Sequence, residues 1–152
     1  MTKEISIGAI IYKKNKKIEY LLLHKLPSEH YKELWDFPRG NQESNETQMQ
    51  TAAREIKEET GLTKLNFDKG FKEKTQFFYR KEGQTIFKEV IIYTAELTED
   101  EEVKISKEHA GHKWLSYGKA MKILTYNNSR QILEKADKYL NQKKKQKTLA
   151  EY

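Results

Sequence analysis

The chain has 152 residues, of which 36% are hydrophobic, 34% charged and 11% aromatic, so it suits one domain with a core and is too rich in aromatic residues to be disordered. It contains no cysteine, which excludes disulfides and thiolate metal sites and leaves oxygen or imidazole as the ligands for any metal ion. The formal net charge of +6 favours a polyanionic partner such as a nucleotide or RNA, although a lysine-rich solubilising surface explains that charge equally well.

The first quarter of the chain predicts two strands and a short extended segment. The initial residues lack the layout of a signal peptide and their apolar run is too short to span a bilayer, so we expect a cytoplasmic protein with no membrane contact. Apolar patterns at 4–14 and 18–26 predict strands separated by a turn at 15–17. Residues 27–34 form a predicted loop and 35–40 an extended piece, because Pro38 biases Phe37 away from helix.

The next segment predicts the main helix. Thr47 is the expected N-cap, with Gln50 as its capping-box partner, and Gly61 ends the helix as a C′ glycine. The side chains predicted to face the core follow a helical period. They are Met49, Ala52, Ala53, Ile56 and Thr60.

The second half of the chain alternates strands and helices. Residues 71–98 predict two antiparallel strands around a turn near "KEGQ", and 102–117 a short strand, an exposed loop and a second extended stretch. A short helix at 116–124 and a longer one at 128–145, capped by Asn128, complete the pattern. We expect one α/β domain over 1–146, with a mixed sheet between helices, and a frayed tail at 147–152.

Three glutamates crowd the end of the main helix. Glu55, Glu58 and Glu59 project from one flank, where like charges repel each other and oppose the helix dipole. A divalent cation such as Mg²⁺ would turn that repulsion into attraction, since it prefers oxygen ligands. A solvated acidic face is the alternative, and it is the better explanation if only these three residues are considered.

The spacing around the glutamates decides between these explanations. From Gly40 the chain reads "GNQESNETQMQTAAREIKEETGL", which is G, five residues, E, seven residues, then R-E-apolar-x-E-E-x-G-apolar. This pattern is the complete Nudix box, so the chain resembles the Nudix hydrolases. The resemblance implies an α/β/α sandwich with a mixed central sheet, and a loop–helix–loop that binds Mg²⁺ or Mn²⁺ against a diphosphate.

The resemblance also implies roles for the residues of the box. The expected metal ligands are Glu55, Glu58, Glu59 and the carbonyl of Gly40. Glu58 and Glu55 are also expected to be catalytic; one of the three glutamates could serve as the general base, and which one acts is left open. Arg54 is expected to pair with Glu46 and to orient the catalytic site rather than to bind substrate.

The flanks of the box narrow the resemblance to one branch. "LWDFPRG" and "SKEHAGHKWLSYGKA" resemble the Nudix enzymes that hydrolyse diadenosine tetraphosphate asymmetrically. That branch implies a dinucleoside polyphosphate as substrate and ATP and AMP as products, and it implies no protein partner. It also places a further carboxylate, here Glu108, near the metal ions, as a fourth acidic ligand or an alternative base.

The same branch implies residues for phosphate and base binding. Arg39 and Lys88 match phosphate-binding positions, and His109 could approach the phosphates. Phe77 and Tyr126 match two aromatic residues that hold adenine between them. Phe78 remains a rival to Phe77, because the register is uncertain by one residue and successive side chains of a strand face opposite ways.

Two other functions stay open at this point. An RNA 5′-pyrophosphohydrolase or a nucleotide-pool sanitising pyrophosphatase is favoured slightly by the basic charge, by "KKKQK" (143–147) and by an "FP" pair that also occurs in such enzymes. A catalytically dead nucleotide sensor is the second alternative. The intact glutamates argue against a sensor, since a non-catalytic module has no need to keep all of them.

Overall fold

The protein is described by a computed structural model over residues 2–27 and 32–150, with side chains described up to residue 146. Part of the predicted loop at 27–34 and the end of the predicted tail lie outside the described residues. In chain order the elements are β1 (Thr2–Lys14), β2 (Ile18–Lys25), β3 (Leu34–Asp36), β4 (Arg39–Asn41), α1 (Gln48–Thr60), β5 (Leu65–Lys81), β6 (Gln84–Leu97), β7 (His109–Ser116), α2 (Tyr117–Ile123) and α3 (Asn127–Ala150).

The strands form a mixed sheet, as predicted. Its main order is β3-β2-β1-β6-β5, with β4 paired to β1 and β7 paired to β2. β1 and β6 run parallel, and the other pairs are antiparallel. The β5–β6 hairpin turns at Glu82 and Gly83, both with positive φ, which is the backbone that a two-residue turn of this kind requires.

Helices cover both faces of the sheet. Successive side chains of β1 point to opposite faces, so β1 contributes apolar residues to the core on each side. Ile7, Ala9 and Ile11 pack with residues of α1, whereas Ile10 and Tyr12 pack with residues of α2 and α3. The α/β/α sandwich predicted for this chain is confirmed. Within the described part of the chain, no helix is long and apolar enough to cross a membrane.

Helix α1 begins and ends as predicted, but its buried face is rotated. Thr47 and Gln50 form the capping box, and Gly61 has φ 75° with its N–H donating to the carbonyl of Lys57. The prediction was wrong for Met49, which is 40% exposed, and for Ala53, which is also exposed. Thr51 is buried instead, because the helix turns its glutamate-bearing flank partly toward the sheet.

Two other local predictions were wrong. No strand forms at 102–107: Lys104 and Ser106 donate their backbone N–H groups to the last turn of α1, at the carbonyls of Thr60 and Glu59. Asn128 does not cap α3, since the helix begins one residue earlier and its first turn closes from the Arg130 N–H to the carbonyl of Tyr126. The backbone of α3 runs to Ala150, past the end predicted for it.

Candidate active site

Two adjoining cavities open at one edge of the sheet. The larger has a volume of about 780 Å³ and is lined by the carboxylates of α1 and by several cationic side chains. The smaller has a volume of about 370 Å³ and is lined mainly by apolar and aromatic side chains. Both cavities are bordered by Asp36, Phe37, Arg39 and Tyr126. The two cavities therefore lie next to each other, separated by these shared residues.

Two glycines let the backbone of this region pack tightly. A Cβ on Gly8 of β1 would lie 2.0 Å from the carbonyl oxygen of Pro38, so only glycine lets the segment before β4 approach β1. A Cβ on Gly40 would lie 2.0 Å from the carboxyl carbon of Glu55. Gly40 is therefore in direct contact with the end of α1, where the sequence predicted a metal site.

The box glutamates line the larger cavity from α1. Glu59 accepts the backbone N–H of Arg39 at 3.2 Å, and Glu55 lies against Gly40. Glu58 points further outward, with 57% of its side chain exposed. Glu108, which follows the segment docked on α1, lines the same cavity. The four predicted carboxylates thus share one cleft.

Burial and repulsion from neighbouring carboxylates disfavour the ionised forms of Glu55 and Glu59. Burial, together with the charge of Glu55, raises the pKa of Glu59 to about 8. Burial also raises the pKa of Glu55, with further repulsion from Glu58 and Glu108, although Arg54 opposes the shift. A bound cation would relieve this repulsion, which is the electrostatic condition expected of a metal site.

Arg54 connects the carboxylates to the preceding loop. Its Nε donates to Glu46 Oε2 at 2.7 Å and its Nη2 to Glu46 Oε1 at 3.0 Å, so the expected pairing is present. Its Nη1 donates to Glu55 at 2.9 Å and to Glu58 at 3.3 Å. Arg54 thus holds two of the predicted ligands while it is anchored by a third glutamate.

The donor set fits a hard divalent cation, although the side chains are not gathered around one point. Carboxylates and a nearby backbone carbonyl offer only oxygen, which Mg²⁺ and Mn²⁺ prefer. Across residues 2–27 and 32–150, no three acidic or histidine side chains are arranged as a ready metal site. The guanidinium of Arg54 binds Glu55 and Glu58 and holds their carboxylates. A metal ion would have to compete with Arg54 for these two ligands.

The phosphate-binding candidates line the same cavity as the carboxylates. Arg39 lies on β4, Lys88 on β6 and His109 on β7. His109 is buried, its Nδ1 contacts the Ser106 hydroxyl at 2.8 Å, and burial lowers the pKa of its imidazole. Arg39 and Lys88 therefore add positive charge to the cavity that the carboxylates line, as a bound metal–polyphosphate complex would require.

The smaller cavity receives one of the two rival aromatic residues of β5. Phe77 lines it together with Tyr126, and both rings are partly exposed, at 36% and 43%. Phe78 points away from it, is 62% exposed and packs against Phe87 with ring centroids 5.1 Å apart. The geometry favours Phe77 over Phe78 as the stacking candidate.

Sequence reasoning missed several residues of the cleft. Asp36 borders both cavities, is buried, and accepts hydrogen bonds from the Phe37 N–H and the Ser129 hydroxyl, with Arg39 Nε at 3.8 Å. Lys25 lines the larger cavity at the end of the buried strand β2. Both could have been suspected, because each is a charged residue beside apolar residues of a predicted strand or extended segment.

Comparison with known proteins points to one family. A family model described as "NUDIX domain" matches residues 2–136. The bis(5′-nucleosyl)-tetraphosphatase (asymmetrical) of Caenorhabditis elegans is 33% identical over 134 residues, which cover 88% of this chain and 94% of that protein. The protein of the same name from Sus scrofa is 29% identical over 143 residues, covering 88% of this chain and 92% of its own length.

Solved structures show the same fold. A crystal structure of a C. elegans Ap4A hydrolase binary complex aligns with a TM-score of 0.78 at 32% identity, over 91% of this chain and 98% of that one. The NUDIX domain of Shewanella oneidensis NrtR in complex with ADP ribose has a TM-score of 0.70 at 17% identity, over 92% of this chain and 90% of its own, and supports the fold alone.

Proposed function

The chain belongs to the Nudix family, and we propose that it is a metal-dependent hydrolase that cleaves diadenosine tetraphosphate asymmetrically to ATP and AMP. The observation that carries this proposal is that the two cavities adjoin and share lining residues. A cavity lined by carboxylates and cations adjoins a pocket flanked by two aromatic rings, and the two share Arg39 and Tyr126. A nucleotide needs both parts, one for its phosphates and one for its base.

Each group of side chains has a role in this proposal. Phe77 and Tyr126 stack on one adenine, and Arg39 and Lys88 bind the polyphosphate. Arg39 can grip two phosphate oxygens at once, since its guanidinium presents a planar pair of donors. His109, buried beside Ser106, would lie next to the same phosphates.

The acidic side of the cleft would carry out hydrolysis. Glu55, Glu58, Glu59 and the carbonyl of Gly40 would hold Mg²⁺ or Mn²⁺, and Glu108 adds a further carboxylate at the edge of the cavity. A bound divalent cation would supply charge neutralisation at the phosphates and activation of water. One glutamate, Glu58 or Glu55, would accept the proton of the water that attacks phosphorus, and Arg54 would keep both in place.

The alternatives from the sequence receive less support. The names of the relatives described above refer to dinucleotide hydrolysis and give no support to RNA as a substrate. A nucleotide-pool pyrophosphatase would use the same carboxylates but would need only one nucleoside. A cytoplasmic location stays a prediction.

The proposal is tested by a substrate panel with product identification. The purified protein, with Mg²⁺ or Mn²⁺, is given diadenosine tetraphosphate, ATP and a triphosphorylated RNA in ¹⁸O-water, and the products are identified by mass. We expect ATP and AMP from the dinucleotide, one of them carrying a single ¹⁸O atom. Two ADP molecules, or faster hydrolysis of the RNA or of ATP, would contradict the proposal.

A further inference from the structure

A carboxylate outside the Nudix box contacts the phosphate-binding lysine. Lys88 Nζ lies 3.5 Å from Glu4 Oε2, and the side chains of both residues are largely buried. The same Glu4 oxygen accepts the Tyr79 hydroxyl at 2.7 Å. Lys88 also lies near the Tyr79 ring, with Nζ 5.9 Å from its centroid. Each of these three residues contacts the other two, and Lys88 lines the larger cavity.

The sheet itself brings these residues together. Glu4 and Lys88 are partners across the parallel β1–β6 pair, and Lys88 is the partner of Phe77 across the β5–β6 pair. Tyr79 follows Phe77 by two residues on β5, so both side chains face the same side of the sheet. The cluster therefore links the phosphate-binding lysine to the strand that carries the proposed base-stacking ring.

The surroundings of Lys88 disfavour its charged form. Burial lowers its pKa, and the positive charges of Arg39 on β4 and Lys25 on β2 lower it further. Glu4 opposes these effects through its charge and its contact with Nζ. Glu4 is itself held ionised: the Tyr79 hydroxyl lowers its pKa most, with help from Lys88 and Lys81.

We propose that Glu4, fixed by the Tyr79 hydroxyl, is a positioning residue that acts through Lys88 by keeping its ammonium group charged beside the phosphate cavity. This inference rests on the proposed function, because it assigns Lys88 to a polyphosphate. Glu4 is not among the residues that line the two cavities assigned to the nucleotide, and it contacts Lys88, so we assign it a role that acts through Lys88. A neutral lysine would lose most of its attraction for phosphate.

The first test measures the charge of Lys88 directly in the metal-free protein. The pKa of Lys88 is read from its ¹³Cε chemical shift between pH 7 and pH 11, in the wild type and in Glu4→Gln and Tyr79→Phe. Removing an opposite charge at this distance should lower the pKa of Lys88 by about one unit in Glu4→Gln. We expect a smaller decrease in Tyr79→Phe, since Glu4 keeps its charge but loses its anchor.

Glu89→Gln is the matched control. Glu89 follows Lys88 on β6 and faces the other side of the sheet, where it contacts Lys3 and Lys74 and accepts a hydrogen bond from Gln76. The Glu89→Gln variant also removes a carboxylate that contacts lysine side chains, but this carboxylate lies on the face of the sheet away from Lys88. The pKa of Lys88 should stay at its wild-type value in this variant, and an equal decrease would overturn the inference.

The second test measures binding of a methylene-bridged, non-hydrolysable diadenosine tetraphosphate analogue against pH. Near pH 7, Glu4→Gln should bind the analogue as the wild type does. As the pH is raised, its affinity should begin to fall at a lower pH than the affinity of the wild type. Lys88→Arg in the Glu4→Gln background should restore affinity at high pH, because arginine stays protonated. Equal weakening at every pH, without rescue by arginine, would mean that Glu4 is only structural.

The two proposals fail separately. If the wild type hydrolyses diadenosine tetraphosphate but the pKa of Lys88 is unchanged in Glu4→Gln, this inference is overturned and the proposed function stands. If the pKa decreases as expected but the wild type prefers another substrate, the substrate assignment is overturned and the Glu4–Lys88 linkage stands.

Discussion

Arg54 and Glu46 face each other through two hydrogen bonds, from Nε to Oε2 at 2.7 Å and from Nη2 to Oε1 at 3.0 Å. This contact, with the Glu43 backbone N–H, lowers the pKa of Glu46 to about 2. Since Arg54 also holds Glu55 and Glu58, Glu46 determines where the guanidinium of Arg54 lies, and through it where two candidate ligands point.

Glu46→Gln and Arg54→Lys should therefore each lower kcat by about 10- to 100-fold, as is usual when a partner of metal ligands is lost. Lysine keeps the charge of Arg54 but cannot make both contacts to Glu46. Steady-state kinetics on diadenosine tetraphosphate measure the effect. Arg80→Lys is the control, because Arg80 bonds Thr85 and Gly83 at the β5–β6 turn and is not among the residues that line the two cavities. Wild-type turnover in Arg54→Lys would show that the paired geometry is not needed.

Glu59→Gln should reduce turnover by about two orders of magnitude or more, with the fold retained, because charge neutralisation at the phosphates is worth several kcal/mol. The wild type should likewise lose activity in EDTA and regain it with Mg²⁺ or Mn²⁺. Glu99→Gln, an exposed site after β6, is the control. Full activity in EDTA would refute the assignment of a metal-dependent reaction.

The stability of the metal-free protein should depend on Glu59 and on pH. The folded-state pKa of Glu59 is about 8, above its usual value of 4.5. As pH rises, Glu59 therefore loses its proton at a lower pH in the unfolded chain than in the folded protein. The free energy of unfolding should therefore decrease as pH rises from about 4.5 to about 8. Thermal unfolding in EDTA should show a smaller decrease in Glu59→Gln, and a clear loss of stability in that variant at pH 8 would mean that the carboxylate is structural.

Tyr126→Ala should weaken binding of adenine dinucleotides by about 1–3 kcal/mol, the usual range for stacking of a base on an aromatic ring. The loss should appear mainly in KM, because the base lies far from the reacting phosphorus. Phe77→Ala should behave alike. Phe78→Ala, one residue along on the opposite face of β5, is the matched control, and an effect of similar size there would contradict the proposed pocket.

Lys88→Ala should act differently from Tyr126→Ala and lower kcat as well as raise KM. The reason is that Lys88 would meet charge on the polyphosphate, where negative charge shifts as the bond breaks. Lys74→Ala is the control, since Lys74 pairs with Glu89 on the other face of the sheet. An unchanged kcat in Lys88→Ala would assign this lysine to substrate binding alone.

Local features of the chain were predictable because they depend on neighbouring residues. The capping box of Thr47 and Gln50 sets where α1 begins, and the left-handed Gly61 sets where it ends; each signal involves only residues close together in the chain. Predictions that depended on packing were less reliable: Met49 and Ala53 were expected in the core and are exposed. Helical periodicity gives the spacing of a face, and contacts with the sheet decide its rotation.

By itself, the sequence determined the family of the protein, since the spacing from Gly40 to Gly61 matches the Nudix box and places Glu55, Glu58 and Glu59 close together on one helix. Only the tertiary structure decided which side chains those carboxylates meet. The register of β1, β5 and β6 brings Glu4 beside Lys88 and turns Phe77, not Phe78, toward Tyr126. Such contacts join residues far apart in the chain. A shift of one residue in the pairing of a strand would move each of its side chains to the opposite face of the sheet.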